Sequence, residues 1–388
     1  MPDPTVVITY RGEDRLRRGH SWIYRADVVE ANAAAGDTVV LLGPRRRRLG
    51  RALFSDRSQI TLRVLTRLDE DAGPDLWRQR IDGALRFRQS LGIDATAMRL
   101  VHGEADLLPS LVVDRYADWL VVQALSQGVD RLLPSIVTAL VEMVRPAGIL
   151  ARNDPRVRQL EGLEQKVEVL HGSVPDTIHV VEHGRRYSVD PWRGQKTGLF
   201  LDQRENRAAA AQYTRGRLLD AFSYNGGFAL TLASRCGEVV ALDISPDAVA
   251  RIMQNAETNR VGNVVAREAN VFDELRHFER SGDRFDTIVL DPPAFAKNKA
   301  AVPGAVTGYK EINLRALRIL KPGGTLVTCS CSYHINEAAF AEIVYDAAVD
   351  AHAHVTVVEK RMQGRDHPVL LGVPETYYLK CAILRRLE

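Results

Sequence analysis

Cys329 and Cys331 stand one residue apart in TCSCS, in a chain that holds four cysteines. Together with Asp291 and Phe295 of the DPPAF stretch, they outline one chemistry. Carbon five of a pyrimidine is too weak a nucleophile to accept a methyl group unaided, so a thiolate must first add to carbon six and make the ring enamine-like. A carboxyl group that protonates or hydrogen-bonds N3 stabilises that adduct as it forms. A cysteine and an aspartate at neighbouring strand ends would meet both needs. An aromatic such as Phe295 can stack on a base taken out of its helix. Pro292 and Pro293 cannot donate to a strand ladder, and they fix an extended bend that would hold the Asp291 carboxylate at a set height. The thiols read poorly as metal ligands, because there is no Cys-x-x-Cys pair and no Cys/His cluster with zinc spacing. Residue types alone leave either thiol as the nucleophile, with a buried structural cysteine as the alternative for each.

These residues need a scaffold, and the second half of the chain supplies one. Beyond residue 215 the sequence alternates strand and helix, with predicted strands at 217–222, 238–244, 264–268, 285–291 and 325–330. That rhythm builds a parallel sheet covered on both faces, and such sheets bind ligands beyond the carboxyl ends of their strands. The first strand runs into DAFSYNGGF (220–228), where Gly226 and Gly227 let backbone approach a ligand closely. The loop is neither the dinucleotide fingerprint nor a phosphate loop, which argues against a nicotinamide dehydrogenase. Asp243, at the end of the second strand, can accept hydrogen bonds from both ribose hydroxyls. An adenosine-bearing cofactor without pyrophosphate fits both features, and S-adenosylmethionine is the candidate.

The 388 residues exceed one ordinary core and predict two or three domains. With 45% apolar and 26% charged residues the composition is that of a soluble globular protein. No apolar run approaches the roughly 20 residues that span a bilayer, and the amino-terminal stretch lacks an apolar signal core, so a cytoplasmic location is expected. The net charge of +3 hides an asymmetry, since residues 1–70 carry 13 Arg, no Lys and nine acids, a balance of +4. The excess gathers at Arg15, Arg17 and Arg18 and at Arg45, Arg46, Arg47 and Arg48, clusters able to face phosphates or simply to lie solvated on loops. Predicted strands at 5–10, 37–43, 49–55 and 59–65 suggest a small β barrel. A helix at 75–92, a hairpin at 111–123, a helical stripe from 129 to 144 and a second hairpin at 179–190 make a central α+β piece. Runs at 354–360 and 377–384 are expected to pair as an antiparallel edge hairpin.

The quoted motifs, joined by RRGHSWIY (17–24), GEADLLPSLVVDRY (103–116) and GQKTGLFLDQRENR (194–207), resemble the RlmI-type class I methyltransferases from end to end. That family places a methyl group on carbon five of a cytosine in large-subunit (23S) ribosomal RNA. The resemblance implies an α/β fold: a Rossmann-like class I methyltransferase domain over 191–388, preceded by a PUA-like RNA-binding barrel over 1–70 and a central α+β domain over 71–190. It implies S-adenosylmethionine as cofactor and ribosomal RNA as partner, with no membrane, and it leaves a homodimer open. It makes Cys331 of SCS the nucleophile, with Asp291 as its catalytic partner, and leaves Cys329 at a position where the family readily has another residue. Lys196, Asp202 and Arg204 are expected to wall off the amino acid end of the cofactor, with Phe200 closing over it, unless they form structural salt bridges. Phe222, Ser223, Tyr224, Gly226, Gly227, Asp243, Ile244, Ser245, Asn270, Val271, Asp291 and Pro292 complete the implied cofactor site. Phe295 joins the arginines as RNA-binding. Two departures stand out: Asn270 where the family often has an acid, and Ala294 where related sequences often carry Lys. The base that removes the carbon-five proton is not evident; Cys329, a water and a phosphate are candidates. Rival readings are an RNA-base N-methyltransferase using DPPAF without a thiol, and a non-catalytic RNA-binding assembly factor.

Overall fold

The structure is a computed structural model that describes residues 3–68 and 70–387. The alternation after residue 215 is realised as β1 (Gly216–Ala221), β2 (Cys236–Asp243), β3 (Val264–Glu268), β4 (Phe285–Leu290), β5 (Leu320–Ser330), β6 (Val355–Arg361) and β7 (Lys380–Arg386). They lie in the order β3-β2-β1-β4-β5-β7-β6. The first five are parallel, while β7 is antiparallel to both β5 and β6. Covered on two faces, the central strands carry continuous apolar runs such as VVAL in β2 and TIVL in β4. The crossover helices start at side-chain caps: Ser245 accepts from the Ala248 amide, and Asn270 from the Phe272 amide. Helix Val302–Ile319 packs Tyr309, Ile312 and Ala316 into a core shared with Phe278, Phe285 and Leu326. The predicted terminal hairpin does pair, but β7 lies inside the sheet between β5 and β6 rather than at its rim. Its sequence, KCAILRR, is buried enough to accept that place.

The sheet belongs to a unit formed by Val181–Ser188, Phe200–Arg365 and Tyr377–Glu388. The other unit comprises Met1–Val180, Val189–Leu199 and Asp366–Thr376. Its amino-terminal sheet has six strands in the order Trp22–Tyr24, Ile60–Thr66, Arg48–Phe54, Thr38–Leu42, Thr5–Ile8, Val28–Asn32, around a core of Val6, Ile8, Ile23, Val39, Leu41 and Leu62. The central sheet has five strands, Ala97–His102 through Lys166–Gly172, backed by helices Pro74–Ser90 and Gln127–Val144. Leu53 and Leu65 of the first sheet share a core with Trp77, Ile81 and Val122 of the second part, which is why the two expected amino-terminal domains cluster as one unit. Near residue 191 short segments alternate, 181–188 clustering with the unit of the parallel sheet and 189–199 with the other unit. No helix among the described residues is long and apolar enough to cross a membrane.

The segment that leads into β1 is held by buried charge. Arg207 makes a bidentate pair with Glu182 at 2.8 and 2.7 Å and donates a third bond to the Phe200 carbonyl at 3.1 Å. Both partners are buried, and the guanidinium pKa is raised although burial acts to lower it, because Glu182 more than offsets desolvation. Glu182→Ala would strand that charge, and urea unfolding is expected to read a loss of about 3–5 kcal/mol; a change below about 1 kcal/mol would show the pair to be dispensable.

Candidate active site

The chain leaves β1 through a turn in which Phe222 (φ 64°), Tyr224 (φ 50°) and Gly226 (φ 82°) all adopt the left-handed conformation. Such strain persists where surroundings over-determine it and tends to collect at functional sites. Here the Ser223 amide donates to the Leu242 carbonyl at 2.8 Å, and the Tyr224 amide to Asp243 Oδ2 at 2.8 Å. The Ser245 amide donates to Asp243 Oδ1 at 3.0 Å. The Asp243 carboxylate is thereby immobilised through one bond to each oxygen, and a carboxylate oxygen has capacity for a second, which is what two ribose hydroxyls require. Beside it Ile244 leaves its aliphatic side chain 69% exposed, a surface on which a flat base can rest.

Asp220, not expected as a binding residue, lies beneath the same turn. One oxygen accepts from Ser223 Oγ (2.5 Å) and the Ala229 amide (2.8 Å), while Oδ1 is buried without a hydrogen-bond partner among the described residues. Burial pushes its pKa up to about 7, and the charges of Asp291 and Asp243 push the same way. A buried carboxylate oxygen near two further acids suits a cationic ligand, so these residues fit S-adenosylmethionine, which supplies an electrophilic methyl group when bound. A sequence signal existed, since Asp220 opens the DAFSYNGGF loop, but its burial could not be read there.

The other expected cofactor residues divide. Phe200 places its ring 5.2 Å from that of Tyr224, edge to face. Asp202 and Arg204 are buried; Asp202 accepts from the Tyr378 hydroxyl at 2.7 Å and, through its carbonyl, from the Gly364 amide at 2.8 Å. These contacts brace the segment against the carboxyl-terminal strands. Lys196 belongs to the other unit and is exposed, with φ 54°. Asn270 spends its amide oxygen capping helix Val271–Ser281 through the Phe272 amide, so any adenine contact would share that atom. Val271 is buried as the first residue of the helix, and Gly227 lies against Arg207.

At the neighbouring strand ends, Leu290 of β4 stands opposite Thr328 of β5. Asp291 therefore emerges beside the cysteine run, and its Oδ1 accepts from Gln203 Nε2 at 2.7 Å. Gln203 is itself fixed by Asn206, whose Nδ2 donates to Gln203 Oε1 at 2.7 Å. Sequence reasoning passed over Gln203, although it sits between the two charged residues of LDQR. Strand alternation would put Cys329 and Cys331 on one face, but β5 ends at Ser330 and their surroundings differ. Cys329 is fully buried opposite Cys381 of β7; a hydrogen bond with Cys381 and then burial hold its thiol well above the ordinary range. Cys331 is partly exposed, and its Sγ lies 3.7 Å from the Pro292 carbonyl. Ser332 ties the two loops together: its Oγ accepts from the Ala296 amide at 3.1 Å and pairs with the Tyr309 hydroxyl at 3.0 Å. Phe295 packs against Tyr309, Phe272 and Phe222, with centroids 4.7, 6.0 and 6.5 Å away, so part of its ring surface is already covered.

Most of the amino-terminal arginines carry surface pairs. Arg17 and Arg47 both meet Glu13 at 2.7 Å, Arg18 meets Asp14 at 2.9 Å, Arg46 meets Glu30 at 2.7 Å, and Arg48 lies 3.9 Å from Asp3. The exposed pairs of Arg18, Arg46 and Arg48 are worth about 0–1 kcal/mol and can be exchanged for phosphates, whereas Glu13 is buried between its two arginines. Arg45 is exposed. Arg15 differs, lying 4.4 Å over the Tyr24 ring and 3.5 Å from Asp27, and reads as part of the local structure. No group of three or more His, Cys, Asp or Glu that could hold a metal ion occurs among the described residues.

A seven-stranded sheet in this order, with a strained turn and acids at the ends of β1, β2 and β4, defines a class of S-adenosylmethionine-dependent methyltransferase. The family described as S-adenosylmethionine-dependent methyltransferase matches residues 98–370, and the PUA-like domain family matches residues 6–67. Among relatives, the protein of Tolumonas auensis named "Ribosomal RNA large subunit methyltransferase I" is 39% identical over 394 residues, covering 99% of each chain. One of the same name from Vibrio cholerae is 38% identical, covering 98% of this chain and 100% of its own. The chain belongs to that family. Its structure also resembles that of SMU.776, described as a methyltransferase complexed with SAH, with a TM-score of 0.86 at 20% identity over 98% of this chain and 99% of the other; that likeness concerns the fold.

Two outcomes test the cofactor end. Asp243→Asn removes the ionised acceptor, and calorimetry is expected to show S-adenosylmethionine bound about 10–100-fold more weakly; unchanged affinity would remove the carboxylate from the site. Asp220 has a folded pKa of about 7, above the ordinary value near 3.9. The free protein therefore keeps a proton there that the unfolded chain has released. That stabilisation is complete below about pH 4 and is lost as pH rises through about 7. The thermal midpoint of the free protein should fall between about pH 5 and pH 8 by more than that of Asp220→Asn, and equal slopes would contradict the assignment.

Proposed function

We propose that the protein methylates carbon five of a cytosine in large-subunit ribosomal RNA through a covalent Cys331 adduct. The observation that carries this reading is the contrast among the thiols near β5. Cys331 is partly exposed beside the DPP loop, whereas Cys329 and Cys381 are buried against each other. The names of the full-length relatives support ribosomal RNA as the substrate, and the PUA-like domain with its exposed arginines supports a grip on phosphates.

In this reading a cytosine leaves its stack and enters beside β4 and β5. The Cys331 thiolate adds to carbon six, and the Asp291 carboxyl, its rotation limited by Gln203, stabilises the adduct at N3. Carbon five gains nucleophilicity and takes the methyl group. Loss of its proton then expels the Cys331 thiolate and restores the aromatic ring. Cys329 has no exposed surface and is held as a thiol, so it is a poor choice for the base in that last step. A water or a phosphate remains for it.

Bisulfite sequencing of ribosomal RNA incubated with donor and enzyme separates the alternatives. Cys331→Ala is expected to lower methyl transfer by at least about a thousandfold, while Cys329→Ala should retain most of it. Full activity in Cys331→Ala would end the covalent route and favour methylation of a nitrogen held by Asp291.

A further inference from the structure

The proposed reaction needs Cys331 as a thiolate, yet an ordinary thiol with a pKa near 8.5 is mostly protonated at neutral pH. Several groups face it. Asp291 leaves β4 one residue before Pro292, whose carbonyl is 3.7 Å from the sulfur, and a carboxylate there opposes a second negative charge. The Tyr309 hydroxyl, from helix Val302–Ile319, also interacts electrostatically with Cys331. Ionisation therefore calls for a cation.

Lys380, the first residue of β7, is placed to be that cation. Its strand register sets it opposite Ser330, and its Nζ donates to the Ser332 carbonyl at 2.7 Å and the Tyr378 carbonyl at 2.9 Å. The ammonium is thus anchored to the residue that follows Cys331. Lys380 is only 3% exposed, and a buried charge is ordinarily paired. The polar groups that line the same cavity pair with other residues. Lys360 is 3.4 Å from Glu337, the Tyr377 hydroxyl 3.2 Å from the same carboxylate, and Arg361 2.7 Å from Glu359. A thiolate at Cys331 would favour the charged form of Lys380.

We propose that Lys380 is a positioning residue that activates the nucleophile: its ammonium, held by the Ser332 and Tyr378 carbonyls, favours the thiolate form of Cys331. This rests on the reading of Cys331 as nucleophile. Burial lowers the lysine to about 8 while the thiolate pulls it back up, so the ammonium is present at neutral pH and fades in mild alkali.

The test is the rate of Cys331 alkylation by iodoacetamide against pH in the full-length protein, without RNA or donor, followed by peptide mass spectrometry. In the wild type the apparent pKa is expected below that of an ordinary thiol. Lys380→Gln keeps donors for the carbonyls but removes the charge. It should raise that pKa by about one unit and slow alkylation at pH 7 about tenfold, and Lys380→Arg should restore the wild-type profile. Matching profiles for wild type and Lys380→Gln would overturn the proposal. So would a wild-type thiol titrating at or above the ordinary value, which is readable even if the glutamine variant does not fold. Activity in Cys331→Ala would instead strike the nucleophile reading, leaving the alkylation profile to judge Lys380.

Discussion

β4 and β5 run parallel with Leu290 opposite Thr328, and the chemistry at the site follows from where the chain goes when those two strands stop. Prolines carry one chain end away in an extended bend, and SCS carries the other. Without further ties two loops would drift relative to each other by more than a reacting geometry tolerates. Ser332 prevents it. Its hydroxyl accepts from the Ala296 amide of the first loop and pairs with the buried Tyr309 hydroxyl beneath. The serines flanking Cys331 are fully buried, so the triplet works as two anchors around one partly exposed sulfur.

A second constraint comes from the segment 200–207, which is unusually rich in buried polar side chains. Asp202, Gln203, Arg204, Asn206 and Arg207 are all buried. Burying so many polar groups costs free energy unless each is bonded, and the bonds here reach different parts of the unit: Arg207 to Glu182, Asp202 to Tyr378, Gln203 to Asp291, and Asn206 to the Met362 carbonyl. The likeness of this segment to a family motif is thereby given a physical basis. Its side chains link Glu182, the end of β4 and the carboxyl-terminal strands, so replacing one leaves several partners unsatisfied.

Much of this architecture was legible in the sequence because the β-branched and apolar runs that form the sheet are local signals. TIVL, VVAL and the hairpin turn at Ala117 and Asp118 were read close to their observed limits. Helix Tyr10–Arg17 was not, since YRGEDRLR combines an internal glycine with five charges, and the helix depends on Thr9 capping the Gly12 amide and on Leu16 packing into the sheet. The place of β7 was also beyond reach, because pairing between residues 325–330 and 380–385 is a long-range matter. Gln203, Asp220 and Lys380 were missed for a related reason. Each draws its role from a partner distant in sequence or from burial, and neither is visible in a motif.

In the proposed reaction the site must also stabilise opposite charges close together, a cationic methyl donor and an anionic sulfur. Three carboxylates, Asp220, Asp243 and Asp291, lie at the ends of β1, β2 and β4, and the effect of the other two on Asp220 shows that they share one field. That field favours a sulfonium and opposes a thiolate. Placing the proposed nucleophile one strand further along the sheet, after β5, takes it toward Lys380 on β7 and the opposite sign of charge. Because β7 runs antiparallel beside β5, its first residue, Lys380, stands at the level of Ser330, where β5 ends. The strand order of the sheet thus separates the two charges before either ligand arrives.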